Sequence, residues 1–145
     1  MIIYTIGFTQ KTAREFFEPI KKNDIQVLID VRLNNQSQLA GFTKEKDLSY
    51  FLENITNCKY VHDLVFAPPK MLLDDYKKGK TTWDGYVEVF QKLIVSRKMV
   101  EHFDEKYKTY DRVLLMCSEP TPEKCHRRLI AEALATQLGH KIIHL

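Results

Sequence analysis

Helices and strands alternate along the chain, which predicts an α/β fold: a three-layer, Rossmann-like sandwich around a mainly parallel sheet of about five strands. A helical insertion is expected between strands three and four. Three observations carry this reading. The runs Ile2 to Ile6 and Val27 to Val31 are continuously apolar instead of alternating, as in parallel strands covered on both faces. Apolar residues recurring at three and four separate such runs and mark helices. The chain has 145 residues, 44% hydrophobic and 28% charged, which suits a single domain over residues 1–145 with one real core.

The first strand, Ile2 to Ile6, opens into a turn at Gly7, and Thr12 with Glu15 forms a capping box for a helix carrying Ala13, Phe16, Phe17 and Ile20. Asn23 and Asp24 stop that helix before the second strand, completing a βαβ unit. Arg32 to Thr43 is polar and irregular. Leu48, Phe51, Leu52 and Ile55 then mark a second helix, followed by a strand at about Lys59 to His62. Pro68 and Pro69 introduce a short helix through Met71, Leu72 and Tyr76, ended by Lys77, Lys78, Gly79 and Lys80, and this insertion can cover one end of the sheet. Trp83, Tyr86, Val87, Phe90, Leu93, Ile94 and Arg97 fall at helical spacing, an aromatic stripe read as core, with a break or second helix near Met99 to Tyr107. Val113 to Met116 is the fourth strand. Thr121 is expected to cap the next helix with Pro122 at its first position, Gly139 to close it, and Lys141 to His144 to form the last strand.

Composition narrows the function classes. A net charge of +3 and a pI near 8.7, with acidic residues almost as numerous as basic ones, is not the footprint of a dedicated nucleic-acid binder. The three cysteines make an odd count and the N-terminus shows no secretory pattern, so a reducing cytoplasm is the expected location. No apolar run approaches the roughly 18 residues of a membrane span.

In open parallel sheets ligands sit outside the carboxyl ends of the strands. Those ends are polar here: Gly7, Phe8 and Thr9; Asp30 and Arg32; His62; Cys117, Ser118 and Glu119; His144. Each alone is ordinary loop chemistry, and their weight comes from sharing one edge. Asp30 and Arg32 project to the same side of an extended chain. They form either a structural ion pair or an anion-binding arginine held by a carboxylate that can also act as a base. The densest segment runs from Cys117 to Arg128. On a helical wheel with Leu129, Ile130, Ala133, Leu134 and Leu138 inward, His126 points along the buried face, Cys125 and Arg127 flank it, and Arg128 points to solvent. A histidine there can equally tie the preceding loop down by hydrogen bonds.

These pieces resemble the uncharacterised bacterial and archaeal family catalogued as domain of unknown function 488. The resemblance rests on T5-I-G7, D30-V-R32 with Ser37, the G41-F-T43 loop, Y60-x-H62, C117-S-E119, C125-H-R127 and H144-L145. It implies an α/β fold and a shared site at these polar positions, without naming a reaction. Much of the family has a histidine after the first-strand glycine. Phe8 stands there in this chain, so no role of that histidine transfers; Thr9 keeps the hydroxyl.

The leading expectation is a small anionic, phosphorylated or nucleotide-like ligand. Thr9, Arg32, Cys117 and Arg127 would bind it with the N-terminus of the Thr121 helix, and Asp30, Glu119 and His126 would be the acid-base candidates. Thiol chemistry at Cys125 or Cys117 is the alternative, since a helix N-terminus, a histidine and arginines depress a thiol pKa. It lacks a Cys-x-x-Cys motif, and an arginine six positions after either cysteine. Metal is not expected: C-x-E then P-x-x-C-H has the residue types of a zinc deaminase, but the connecting loop supplies too few separated ligands, so Cys117 and Cys125 are expected reduced and zinc-free. A non-enzymatic module binding nucleic acid or protein through Tyr76, Lys77, Lys78, Lys80 and the Arg32 to Lys44 loop is the last reading. Lysines at a helix C-terminus already suit the helix dipole. No cofactor or oligomeric state follows from the sequence.

Overall fold

The computed structural model describes residues 1–36 and 40–145, so Ser37 of the family motif lies outside the described residues. The strands are β1 (Ile2–Gly7), β2 (Val27–Asp30), β3 (Lys59–His62), β4 (Arg112–Cys117) and β5 (Lys141–His144). The helices are α1 (Ala13–Lys22), α2 (Glu45–Phe51), α3 (Lys70–Lys77), α4 (Trp83–Ser96), α5 (Met99–Tyr107) and α6 (His126–Leu138). This is an α/β fold. The strands form one sheet in the order β3-β2-β4-β1-β5. Every pairing is parallel, with Gly7 opposite Cys117 and Asp30 opposite Met116 and His62.

Burial explains the unbroken apolar strands. Ile3, Val27, Ile29, Val113 and Leu115 pack with side chains from α3, α4, α5 and α6. Their alternates, Tyr4, Ile6, Leu28, Leu114 and Met116, pack with Phe16, Phe17 and Ile20 of α1 and Leu48 of α2. With both faces covered, the inner strands β1, β2 and β4 show no polar alternation, while the edge strands β3 and β5 expose Lys59 and Lys141.

The punctuation residues act as their chemistry requires. Thr12 Oγ1 accepts from the Glu15 amide at 3.2 Å while Glu15 Oε2 accepts from the Thr12 amide at 2.8 Å, the reciprocal box that starts α1. Lys98 adopts a left-handed conformation (φ 50°) and breaks the long apolar pattern into α4 and α5. Gly139, at φ 70°, closes α6.

Two expectations are corrected. The second helix widens into a π-turn over Leu52–Thr56 and ends at left-handed Asn57, so Ile55, expected on the core face, is exposed. The last long helix begins at His126 and not at Thr121, because Cys125 is extended (φ −136°, ψ 136°) and a helix cannot run through it. Thr121 to Lys124 instead form turns, closed by a bond from the Cys125 amide to the Pro122 carbonyl at 3.2 Å. Among the described residues no helix is long and apolar enough to cross a membrane.

Candidate functional site

The carboxyl ends of β1 and β4 are adjacent, and the chain leaving β4 folds back over the end of β1. It can do so because residue 7 is glycine: a Cβ there would lie 1.6 Å from the Glu119 carbonyl oxygen. The loop is then held from three sides. The Thr9 hydroxyl donates to the Ser118 carbonyl at 2.6 Å, Arg127 Nη1 donates to the Glu119 carbonyl at 2.7 Å, and Lys11 Nζ reaches the Pro120 carbonyl at 3.4 Å. Thr9 and Arg127 are therefore loop anchors, and neither lies on the cavity described below.

At the end of β2, Asp30 is fully buried and both of its oxygens are occupied. Oδ1 accepts from Arg32 Nε at 2.8 Å and from the Arg32 amide at 3.1 Å; Oδ2 accepts from Arg32 Nη2 at 2.6 Å and from the Tyr60 hydroxyl at 2.7 Å. Burial works against the Arg32 charge, but the bonds and charge of Asp30 outweigh it and raise its pKa above the ordinary arginine value. Arg32 Nη2 also donates to the Thr43 carbonyl at 2.7 Å, and the guanidinium carbon lies 5.0 Å from the centre of the Phe8 ring. Phe8 thus floors the arginine. His62 and Asn35 brace the following turn: His62 Nε2 donates to the Arg32 carbonyl at 2.7 Å, and the Asn35 amide donates to His62 Nδ1 at 3.1 Å. One group stays uncommitted. Arg32 Nη1 is buried and has no hydrogen-bond partner among the described residues.

The second cluster joins the end of β4 to the start of α6. His126 is buried, and its Nε2 lies 2.8 Å from the Val31 carbonyl. A carbonyl only accepts, so Nε2 carries the proton and Nδ1 is the atom turned to the thiols, 3.7 Å from Cys117 Sγ. Cys117, Cys125 and His126 each place a ligand-type atom within 4.8 Å of the others, and all three are buried. Burial opposes a Cys125 thiolate, yet the hydrogen bond from Cys117 and the Arg127 charge favour it, and its pKa lies well below the usual thiol value. Cys117, donating to that sulfur and itself buried, is pushed well above.

Between these clusters and helices α3 and α4 opens a cavity of about 310 Å³. Arg32, Cys117, Cys125 and His126 stand on its wall, Tyr76, Trp83 and Tyr86 give it an aromatic side, and Lys77, Lys124 and Glu119 edge it. Trp83 and Tyr86 stack with ring centroids 5.1 Å apart, so the stripe read as core also faces the cavity. Of the expected site residues, Arg32, Cys117, Glu119 and His126 meet here; Asp30 stands behind Arg32, and Thr9 and Arg127 lie under the loop. Cys117, Cys125 and His126 gather despite the short connection between them. Turns at Thr121 to Lys124 bring Cys125 back to the strand it left, so residues that the sequence reading took to offer too few separated ligands stand together.

Sequence reasoning passed over Tyr60 as a partner of Asp30, Asn35, and a second buried carboxylate, Asp63. Asp63 Oδ2 accepts from His102 Nε2 at 2.9 Å, Lys106 Nζ at 2.8 Å and the Tyr107 hydroxyl at 2.6 Å. Burial alone would raise its pKa, but the bonds from Lys106, Tyr107 and His102 prevail and hold it at about 2. The one available signal was the spacing of His102 and Lys106, four apart on a helix.

No curated protein and no solved structure matches the chain. A family match does exist and covers most of its length, from the capping threonine of α1 into the last turns of α6. Over residues 12–134 the chain matches, and so belongs to, the family described as domain of unknown function DUF488.

Proposed function

We propose that the protein binds a small anionic ligand, of phosphorylated or nucleotide-like chemistry, in the cavity at the carboxyl edge of the sheet. One observation carries this reading. Arg32 is 3% exposed and lines the cavity, yet among the described residues its Nη1 has no partner, although four bonds fix the rest of the residue. A buried guanidinium nitrogen without an acceptor loses hydrogen-bond energy, and a ligand oxygen restores it. Lys77 and Lys124 add positive charge at the rim against the single carboxylate of Glu119. The Tyr76, Trp83 and Tyr86 rings supply an aromatic wall suited to a planar base.

The finer architecture belongs to the same reading: a three-layer, Rossmann-like sandwich in which α3 to α5 form an insertion over the sheet end. After β1 the chain packs α1 on one face, and after β4 it packs α6 on the other, which opens a crevice between neighbouring strand ends. Glu119, the exposed carboxylate on the wall, is the acid-base candidate if a reaction occurs; Asp30, with both oxygens occupied, serves by holding Arg32. A reducing cytoplasm is the proposed setting.

The test is thermal shift of the full chain across nucleotides and sugar phosphates. A ligand at 100 times its Kd stabilises the fold by about 2.7 kcal/mol, and Arg32→Lys, lacking the fork, should lose most of that shift. If no phosphorylated compound moves the wild-type Tm, the reading fails. A salt-dependent shift with RNA or DNA alone would instead favour the module built on Lys77, Lys78 and Lys80.

A further inference from the structure

Three ligand atoms converge on the same cavity wall, apart from the Arg32 nitrogen that carries the anion reading. Cys117 Sγ, Cys125 Sγ and a ring nitrogen of His126 lie within 4.8 Å of one another, and all three residues are buried on the cavity wall. We infer that Cys117, Cys125 and His126 form a site for one tetrahedral divalent cation of the zinc class, with its fourth position facing the cavity.

The geometry fits without rearranging the fold. With zinc–sulfur bonds of about 2.3 Å and zinc–nitrogen bonds of about 2.0–2.1 Å, a tetrahedral centre has a nitrogen–sulfur edge of roughly 3.6 Å. His126 Nδ1 and Cys117 Sγ stand 3.7 Å apart. That is long for a strong hydrogen bond and close to such an edge.

The histidine is also prepared as a ligand. Its Nε2 proton is committed to the Val31 carbonyl, which fixes the tautomer and aims Nδ1 at the sulfurs. Metal-bound histidines are characteristically held through the other ring nitrogen in this way. A disulfide between the two cysteines would leave Nδ1 facing sulfurs that carry no proton to donate, and its formation requires an oxidant.

Charge balances as well. Two S–H protons leave to solvent as two metal–sulfur bonds form, and two thiolates neutralise the divalent cation with no change of oxidation state. Three protein ligands with one open position is the pattern of zinc sites that engage a small molecule, and two cysteines with one histidine is an established set for it. Cys58 packs in the opposite core with Leu48 and Leu52, away from this group.

The site is independent of the anion reading, so its test uses metal alone. The reduced, chelator-stripped full chain is titrated with Co²⁺ and then with Zn²⁺ in competition. The expected result is one equivalent per chain, a thiolate-to-cobalt charge-transfer band with tetrahedral visible bands, and displacement by zinc. Cys117→Ser and Cys125→Ser should each weaken binding by more than about 100-fold, beyond the effect of losing an outer-shell partner, while Cys58→Ser leaves it unchanged. Because the variants also alter a buried core, X-ray absorption of the zinc-loaded wild type supplies a second reading, expected to show two sulfur neighbours at about 2.3 Å. Binding of less than about a tenth of an equivalent, or zinc without sulfur neighbours, overturns the site, as does unchanged affinity in both folded serine variants. None of these outcomes bears on the nucleotide shift, which is measured on the stripped chain.

Discussion

Two buried carboxylates stand at the ends of neighbouring strands and are tied together, the Asp63 amide donating to the Asp30 carbonyl at 3.2 Å. Asp63 spreads its charge over three side chains of α5, and among those donors Lys106 still reaches water. Asp30 concentrates on one arginine and one tyrosine, in a setting closed to solvent. The first arrangement docks a helix. The second orients a cation whose remaining nitrogen is turned loose beside a cavity. Similar chemistry thus does different work, and what separates the two is whether a donor is left over after the carboxylate has been satisfied.

The comparison breaks most readily at Asp30. Asp30→Asn leaves Arg32 charged, buried and half-partnered, and should cost about 3–5 kcal/mol in denaturant unfolding, with loss of any nucleotide-induced Tm shift. Asp63→Asn should cost less, about 2 kcal/mol at pH 7, discounted because Lys106 is half exposed, and should leave the ligand shift in place. The sign of its pH dependence follows from the lowered pKa. The Asp63 contribution is complete above the unfolded value near 3.8 and is lost as pH falls through about 2, so wild type and variant should converge in stability toward pH 2. If the variant is equally destabilised there, the ionised form is not what docks α5.

Arg127→Lys comes next. Its guanidinium is buried under the loop and absent from the cavity, so the substitution should lower stability by about 1–2 kcal/mol through the lost bond to Glu119. Nucleotide affinity, read at matched folded fraction, should stay within about twofold; a larger loss would return Arg127 to the binding site. The smallest effect belongs to Arg128→Lys. Its partly exposed pairing with Glu132 is an i,i+4 contact at 3.6 Å, worth no more than about 0.5 kcal/mol.

Local signals were readable where they depend on a few adjacent residues. The Thr12 and Glu15 box, the strands around Val27 and Lys59, the Gly139 stop and the α4–α5 break all sit where propensity and pattern place them. The edge carrying Arg32, Cys117, Glu119 and His126 was legible too, because parallel strands leave their polar ends together. What stayed hidden depends on distant partners. Nothing near Tyr60 announces that its hydroxyl finds Asp30, and nothing near Asp63 shows that it collects donors some 40 residues further on. The start of α6 was misread because Thr121-Pro122 carries a strong local start signal, which the buried, extended Cys125 overrides. That override also gathers the sulfurs and histidine, so the misplaced helix start and the unforeseen ligand cluster have one cause.

The strand order has a consequence for how the chain folds. β4 lies between β1 and β2, yet it is made some 80 residues after β2. Until it arrives, neither early strand has its neighbour on that side, and the Val27 to Ile29 edge presents unpaired backbone on an apolar segment. Such long-range parallel pairing is slow to form and prone to association while it waits. A nascent chain of this protein therefore depends on its partially made sheet being shielded, and its yield should respond to chaperone supply more than its final stability would suggest.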